Sequence, residues 1–284
     1  MRDTTQVLST GRTALRLLVH SNLFISLATT SVVVTTAVLA DLPLEPVPVF
    51  IVFAATLFVY TANRVTDLEE DEANVPKRAS FTKRYGRVLF AVGTVLYATA
   101  IGVALVLGID GAGYLLLPLV VVVLYTSGGV KQVFLVKNLL VGLAWGVIPL
   151  GVGYYYGQLL TLEVLVLAGY VTAMITIAAV IFDVKDIEGD RRVGIATVPN
   201  RLGTAATRRY SQAANVGVGV AVVALVFATD LPLAFLALLA MNVYVACYIP
   251  VARPEYGPLY YGFVVDGEHV FLACVVVGLE WLVW

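Results

Sequence analysis

Charge is scarce in this chain. Asp, Glu, Lys and Arg make up 13% of its 284 residues, about half the share in ordinary soluble domains. With 60% hydrophobic residues and a mean hydropathy of +0.91, that scarcity excludes a water-soluble globular protein. Cysteine and histidine number two each, and no CxxC occurs, so no zinc site is expected. Cys247 and Cys274 lie in apolar runs and read as buried thiols acting as small hydrophobes. The formal net charge is −1, and nucleic acid is not an expected partner. The first residues carry Arg2, Arg12 and Arg16 but no small-residue cleavage site, so no removable signal is expected.

What is abundant is apolar sequence in lengths that cross a bilayer, for which about 20 residues suffice. Runs fall at 22–40, 46–63, 88–108, 112–127, 139–157, 162–182, 211–229, 231–251 and 265–284, which predicts nine spans. Asp41-Leu42-Pro43, Gly108-Ile109-Asp110-Gly111, Asp230-Leu231-Pro232 and Arg253-Pro254 punctuate them. The expected fold is all-α, a polytopic membrane bundle forming a single domain over 1–284.

With nine spans, one set of connections lacks basic residues altogether. All 18 Lys and Arg fall at the N-terminus and in the 2–3, 4–5, 6–7 and 8–9 loops. The opposite loops carry Asp41, Glu45, Asp110, Glu163 and Asp230. The positive-inside rule then predicts a cytoplasmic N-terminus in a multi-pass protein of the cell membrane. Spans 2 and 6 each end in an acidic cluster followed by a long basic loop, which predicts two related four-helix halves plus one helix.

The clusters read Asn63-Arg-Val-Thr-Asp67-Leu-Glu-Glu-Asp71 and Asp183-Val-Lys-Asp186-Ile-Glu-Gly-Asp190. Carboxylates at a membrane boundary are costly unless solvated, paired or bound to a cation. On a helix, Asn63, Asp67 and Asp71 fall within about 80° of arc, and Asp183, Asp186 and Asp190 within about 60°. Each cluster thus aims its oxygens one way. Oxygen donors shared with substrate phosphates suit magnesium. Glu69, Glu70 and Glu72 read as a solvated edge.

These residues resemble the UbiA superfamily of intramembrane prenyltransferases. Its first motif, NxxxDxxxD continuing to NxPxR, is matched over 63–78 by Asn63, Asp67, Asp71, Asn74, Pro76 and Arg78. Its second motif, DxxDxxxD continuing as GDRxxGxxTxPxxLG, is matched over 183–203 by Asp183, Asp186, Gly189, Asp190, Arg191, Gly194, Thr197, Pro199, Leu202 and Gly203. The family's 4–5 loop commonly holds a Tyr and a Lys. Here that loop reads Tyr125-Thr-Ser-Gly-Gly-Val-Lys131, with glycines where prolines are frequent.

The resemblance implies transfer of an isoprenyl group from a polyprenyl diphosphate to a lipophilic acceptor, with Mg2+ assisting diphosphate departure at a cytoplasm-facing site. It implies metal ligation by Asn63, Asp67, Asp71, Asp183, Asp186 and Asp190. Arg78, Tyr125, Lys131 and Lys185 would hold the diphosphate. Asp67, Asp71, Asp183, Asp186 and Lys131 would carry catalysis. Arg16, Asn22 and Tyr60 would border the acceptor or prenyl pocket. The implied acceptor is an aromatic quinone precursor or a glycerol-ether lipid precursor.

Some polar residues remain outside these motifs. Tyr154, Tyr155 and Tyr156 read as interfacial belt, and His20 and His269 as satisfied or interfacial histidines. Asp266, Glu268 and His269 form a third polar patch at the start of span 9. A transporter would place its carboxylates nearer mid-membrane. A CDP-alcohol phosphotransferase would need DxxDGxxAR, and Asp186 is followed by Ile187.

Overall fold

The computed structural model describes residues 11, 13–69, 72, 75–120, 122, 133–192, 194–257 and 259–283. Among them, every regular element is helical. α1 (Thr13–His20) and α2 (Leu23–Leu39) meet at a 69° bend. Asn22 occupies the bend at φ 63°, a left-handed conformation that Asn tolerates better than most residues. α3 (Pro46–Thr66) and α4 (Pro76–Val106) each begin with proline, whose missing N–H costs nothing in a first turn. After a 3-10 turn at Ala112–Leu116 come α5 (Val136–Tyr155), α6 (Leu162–Phe182) and the short α7 (Ile187–Arg192). α8 (Val198–Ala228), α9 (Leu238–Tyr248) and α10 (Glu268–Leu282) complete the chain. A 3-10 turn leads into α9, and a π-helical turn, Tyr260–Val265, leads towards α10.

Among the described residues, seven helices are long and apolar enough to cross a membrane, or eight if the bent α1–α2 pair is one span. The expected run at 112–127 begins as the 3-10 turn and is helical over 117–120, and most of its remainder lies outside the described residues. α4 and α8 have 31 residues each. At 1.5 Å per residue the unbroken α4 is about 46 Å long, well beyond the roughly 30 Å hydrocarbon core, whereas α8 breaks at Gly203. Lys77, Arg78, Lys83, Arg84 and Arg87 therefore ride on the first turns of α4 rather than in a loop. Arg201, Arg208 and Arg209 do the same on α8. A long helix follows each acidic motif, and α8 is kinked at Gly203.

α2 packs on α3, α5 and α10, while α6 packs on α5 and α8, and α9 lies between α8 and α10. α6 is the most enclosed span, whereas α4 and α8 keep most of their apolar surface outward. Cys247 and Cys274 are exposed on that outer surface, which corrects their reading as buried thiols. Lipid is as apolar as a core, so hydropathy cannot separate the two environments.

Polar side chains tie the helices together. Asn22 Nδ2 donates to Thr61 Oγ1 at 3.2 Å, and Thr29 Oγ1 to Thr56 Oγ1 at 2.9 Å, joining α2 to α3. In the second half Asn242 Nδ2 donates to Asn215 Oδ1 at 2.9 Å, Asn215 Nδ2 to the Asn242 carbonyl at 2.9 Å, and the Tyr170 hydroxyl to Asn242 Oδ1 at 3.1 Å. Each such bond contributes about 0.6 kcal/mol in a bilayer. Tyr155 donates to Glu45 at 2.8 Å and Tyr156 to the Pro43 carbonyl at 2.6 Å. These tyrosines latch the end of α5 opposite to its Lys137 end.

Candidate active site

The first motif closes α3. Tyr60 and Asn63 share one face, and the Asp67 N–H bonds to the Asn63 carbonyl at 2.9 Å as the helix stops. α3 stops at Thr66, Asp67 forms a turn, and Leu68 and Glu69 are helical again. Asp71 and Asn74 lie outside the described residues. The Asn63 Oδ1 atom is buried without a hydrogen-bond partner among the described residues. Glu72 pairs with Lys83 at 2.7 Å on the surface, as befits a solvated edge.

The second motif is broken as well. α6 ends at Phe182, Asp183 to Asp186 form a turn, and α7 then carries Asp190. Hydrogen bonds from Asp186 N to Asp183 O (3.2 Å) and Asp190 N to Asp186 O (2.8 Å) wind the turn tightly. Asp183 and Asp190 consequently still converge, as a single helix would have made them do. Both are buried, at 5% and 3% exposure.

They converge on a lysine that in sequence is one more basic residue of the 4–5 loop. Lys137 Nζ lies 2.9 Å from Asp183 Oδ1 and 3.7 Å from Asp190 Oδ2. Asn138 Nδ2 donates to Asp183 Oδ2 at 3.0 Å. Both side chains stand in the first turn of α5, after Leu135 at φ 62°. That helix terminus adds a partial positive charge facing the carboxylate. Burial pushes the Asp183 carboxyl up from the usual carboxylate range, and Lys137 and Asn138 pull it back. Asp186 is half-buried and pairs with Lys185, whose ammonium also lies 5.5 Å from the Phe182 ring. A hint in the sequence was available: Lys137-Asn138 is a polar pair opening an otherwise apolar helix.

The start of α10 joins the two motif ends. Asp266 lies within Coulombic range of Arg64 and Arg78, from the first motif, and of Lys185, from the second. Tyr60 accepts a hydrogen bond from Trp145 Nε1 at 3.1 Å. Asn22 is engaged with Thr61, and Arg16 is exposed on α1. Tyr125 and Lys131 lie outside the described residues.

Among the described residues no three His, Cys, Asp or Glu side chains converge closely enough to hold a metal ion. The donor chemistry nonetheless fits a hard cation. Two buried carboxylates already share one ammonium, and a buried amide oxygen at Asn63 has no hydrogen-bond partner among the described residues. All are oxygen donors of the kind magnesium takes.

Residues 22–257 match the model of the UbiA prenyltransferase family. A digeranylgeranylglyceryl phosphate synthase of Sulfolobus acidocaldarius is 28% identical over 173 residues, which are 58% of this chain and 60% of that protein's length. The apo structure of a UbiA homologue from Aeropyrum pernix K1 superposes with a TM-score of 0.66 at 18% identity, covering 92% of this chain and 99% of that one. A second structure, from work on digeranylgeranylglyceryl phosphate synthase in membranes, gives 0.57 at 15% identity, with 94% and 96% covered. At such identities the superpositions speak for the fold alone. With more than four-fifths of its length inside the family match, the chain belongs to the UbiA prenyltransferase family.

Proposed function

We propose that the protein is a Mg2+-dependent prenyltransferase that moves an isoprenyl group from a polyprenyl diphosphate to a lipophilic acceptor. A glycerol-ether lipid precursor is the favoured acceptor and an aromatic quinone precursor the second. The observation that carries this is the convergence of buried Asp183 and Asp190 on a single cation, Lys137, within a family motif. The digeranylgeranylglyceryl phosphate synthase of Sulfolobus acidocaldarius favours, by similarity, the glycerol-ether acceptor. In this reading one domain of nine spans has its N-terminus and both motifs on the cytoplasmic side, where positive-inside charge puts them.

Asn63, Asp67, Asp71, Asp183, Asp186 and Asp190 would hold magnesium, which supplies Lewis-acid stabilisation of the departing diphosphate. Arg78, Tyr125, Lys131 and Lys185 bind that diphosphate, and Lys137 joins them, turning from Asp183 to a phosphate oxygen. Arginine adds a bidentate fork to the point charges of the lysines. The allylic C–O bond ionises as negative charge builds on diphosphate oxygens facing these donors. The apolar bundle excludes the water that would quench the allylic cation to an alcohol. Tyr60, one turn before Asn63, offers a ring face near that cation.

The test offers the purified protein, in lipid nanodiscs with Mg2+, several prenyl diphosphates and a panel of acceptors, with products read by mass spectrometry. The expected result is an acceptor mass raised by one prenyl group. Absence of any prenylated product and of any released diphosphate, across the whole panel, overturns the proposal.

A further inference from the structure

The third polar patch, at the start of α10, is left unused by that mechanism. Glu268 and His269 are 0% and 1% exposed, inside a bundle whose other large polar cluster, Asn215–Asn242–Tyr170, is hydrogen-bonded throughout. The expectation of a satisfied His269 fails. Neither ring nitrogen has a hydrogen-bond partner among the described residues, and Glu268 Oε1 has none either. Glu268 Oε2 accepts the Tyr248 hydroxyl at 2.7 Å, and Oε1 lies 3.9 Å from His269 Nε2. An orphaned buried polar atom costs about 1–3 kcal/mol, and three lie together here. Polar groups kept at that cost inside a membrane bundle mark function more often than architecture.

The patch is also well placed. The His269 ring lies against Trp145, with centroids 5.4 Å apart, and Trp145 bonds to Tyr60, one turn from Asn63. Asp266, two residues before Glu268, lies within Coulombic range of basic side chains from both motifs. The patch thus borders the donor site without belonging to either acidic cluster.

We propose that Glu268 and His269 form the acceptor subsite, holding the hydroxyl of a lipophilic alcohol or phenol and taking its proton; this rests on the prenyl-transfer reading above. A neutral imidazole offers one donor and one acceptor, and Glu268 Oε1 offers a second acceptor. A hydroxyl, which both donates and accepts, matches that set. An acceptor's phosphate or carboxylate finds no cationic partner at Glu268 and belongs instead beside Arg64, Arg78 and Lys185.

In the step, the allylic C–O bond breaks and its electron pair leaves with diphosphate. The acceptor oxygen donates a lone pair to the allylic carbon and forms the new C–O bond. Its proton passes to a His269 ring nitrogen, and the resulting imidazolium is balanced by Glu268. The products are an ether and diphosphate, with no redox partner required.

The experiment uses the full chain in nanodiscs with Mg2+, a radiolabelled long-chain prenyl diphosphate and a monoalkyl glycerol ether as acceptor. His269→Gln is expected to lower kcat for transfer about 100-fold, the lower end of what a positioned proton acceptor contributes. KM for the prenyl diphosphate is expected to move less than about threefold, since the variant leaves donor binding alone. On wild-type protein, the fully O-methylated acceptor analogue is expected to compete at least about tenfold more weakly than the alcohol, having no proton to donate. This arm decides the matter even where the variant does not fold. Wild-type kcat in His269→Gln, a matching rise in KM, or equal competition by the methylated analogue overturns the acceptor subsite while leaving prenyl transfer standing. A wild type that releases no diphosphate from any prenyl diphosphate overturns both.

Discussion

Asp183→Asn is expected to lower prenyl transfer about 100- to 1,000-fold, the range seen when one electrostatic contact to a reacting group is removed. Asparagine keeps the size of the side chain and one oxygen for Asn138, so the change is chiefly the loss of one negative charge. That charge stands at a buried position and faces Lys137 at 2.9 Å. Breaking a buried pair costs about 3–5 kcal/mol when the remaining charge stays desolvated. Lys137 keeps 16% of its side-chain surface and has Asp190 at 3.7 Å, so a cost of about 2 kcal/mol is expected here. Two readouts separate the effects. Thermal unfolding followed by size exclusion should drop modestly, and turnover by the surviving folded protein should fall by the full factor. A variant with lowered melting temperature and wild-type turnover per folded molecule would show that Asp183 only anchors α5.

Gly142→Val is expected to prevent the bundle from closing. α5 approaches α6 through Gly142 and Gly146, one turn apart, against Thr172 and Thr176. A Cβ on Gly142 would meet Thr176 Oγ1 at 2.1 Å and the Thr172 carbonyl oxygen at 2.5 Å. The hydroxyl can rotate away, but the carbonyl belongs to the helix backbone. Small residues spaced in this way let membrane helices pack at backbone range. Overpacking a tight contact costs about 1–3 kcal/mol, and a branched side chain against backbone falls at or above the upper end. The shift would also pull Asn138, one turn earlier, from Asp183. Expression of folded protein, judged by a monodisperse elution peak, should be lost. Gly151→Val serves as control, since nothing lies within 4 Å of its Cβ position. Equal folded yields for both variants would refute the close-packing account.

The helical fold and the ends that carry the site were legible because both depend on local composition. A run of apolar residues between Asp, Gly and Pro breakers locates a helix wherever its partners lie. The second motif even announces its own backbone: Gly203 sits at φ 79° and ψ 160° inside α8, a region essentially closed to other residues. What stayed hidden depends on contacts distant in sequence. Lys137 looked like one more basic residue in a loop, because only the packing of α5 on α6 brings it to Asp183. The breaks at Asp67 and after Phe182 were missed because helical spacing of the carboxylates fits a continuous helix and a wound turn alike. His269 reads as interfacial by its place in the run, whereas the structure buries it against Trp145. Lipid-facing Cys247 and Cys274 were misread for a different reason: both environments are apolar.

The central claim is that the two acidic motifs together hold divalent cations around a prenyl diphosphate. Manganese, which takes the same oxygen ligands as magnesium, can be located by its anomalous scattering in crystals grown with a non-cleavable prenyl thiodiphosphate. The expected result is manganese density bridging the thiodiphosphate to Asn63 and Asp67 on one side and to Asp183 and Asp190 on the other, with Lys137 moved from Asp183 to a phosphate oxygen. Thiodiphosphate bound without manganese at these carboxylates, or manganese at one motif with the Lys137–Asp183 pair intact, would contradict it.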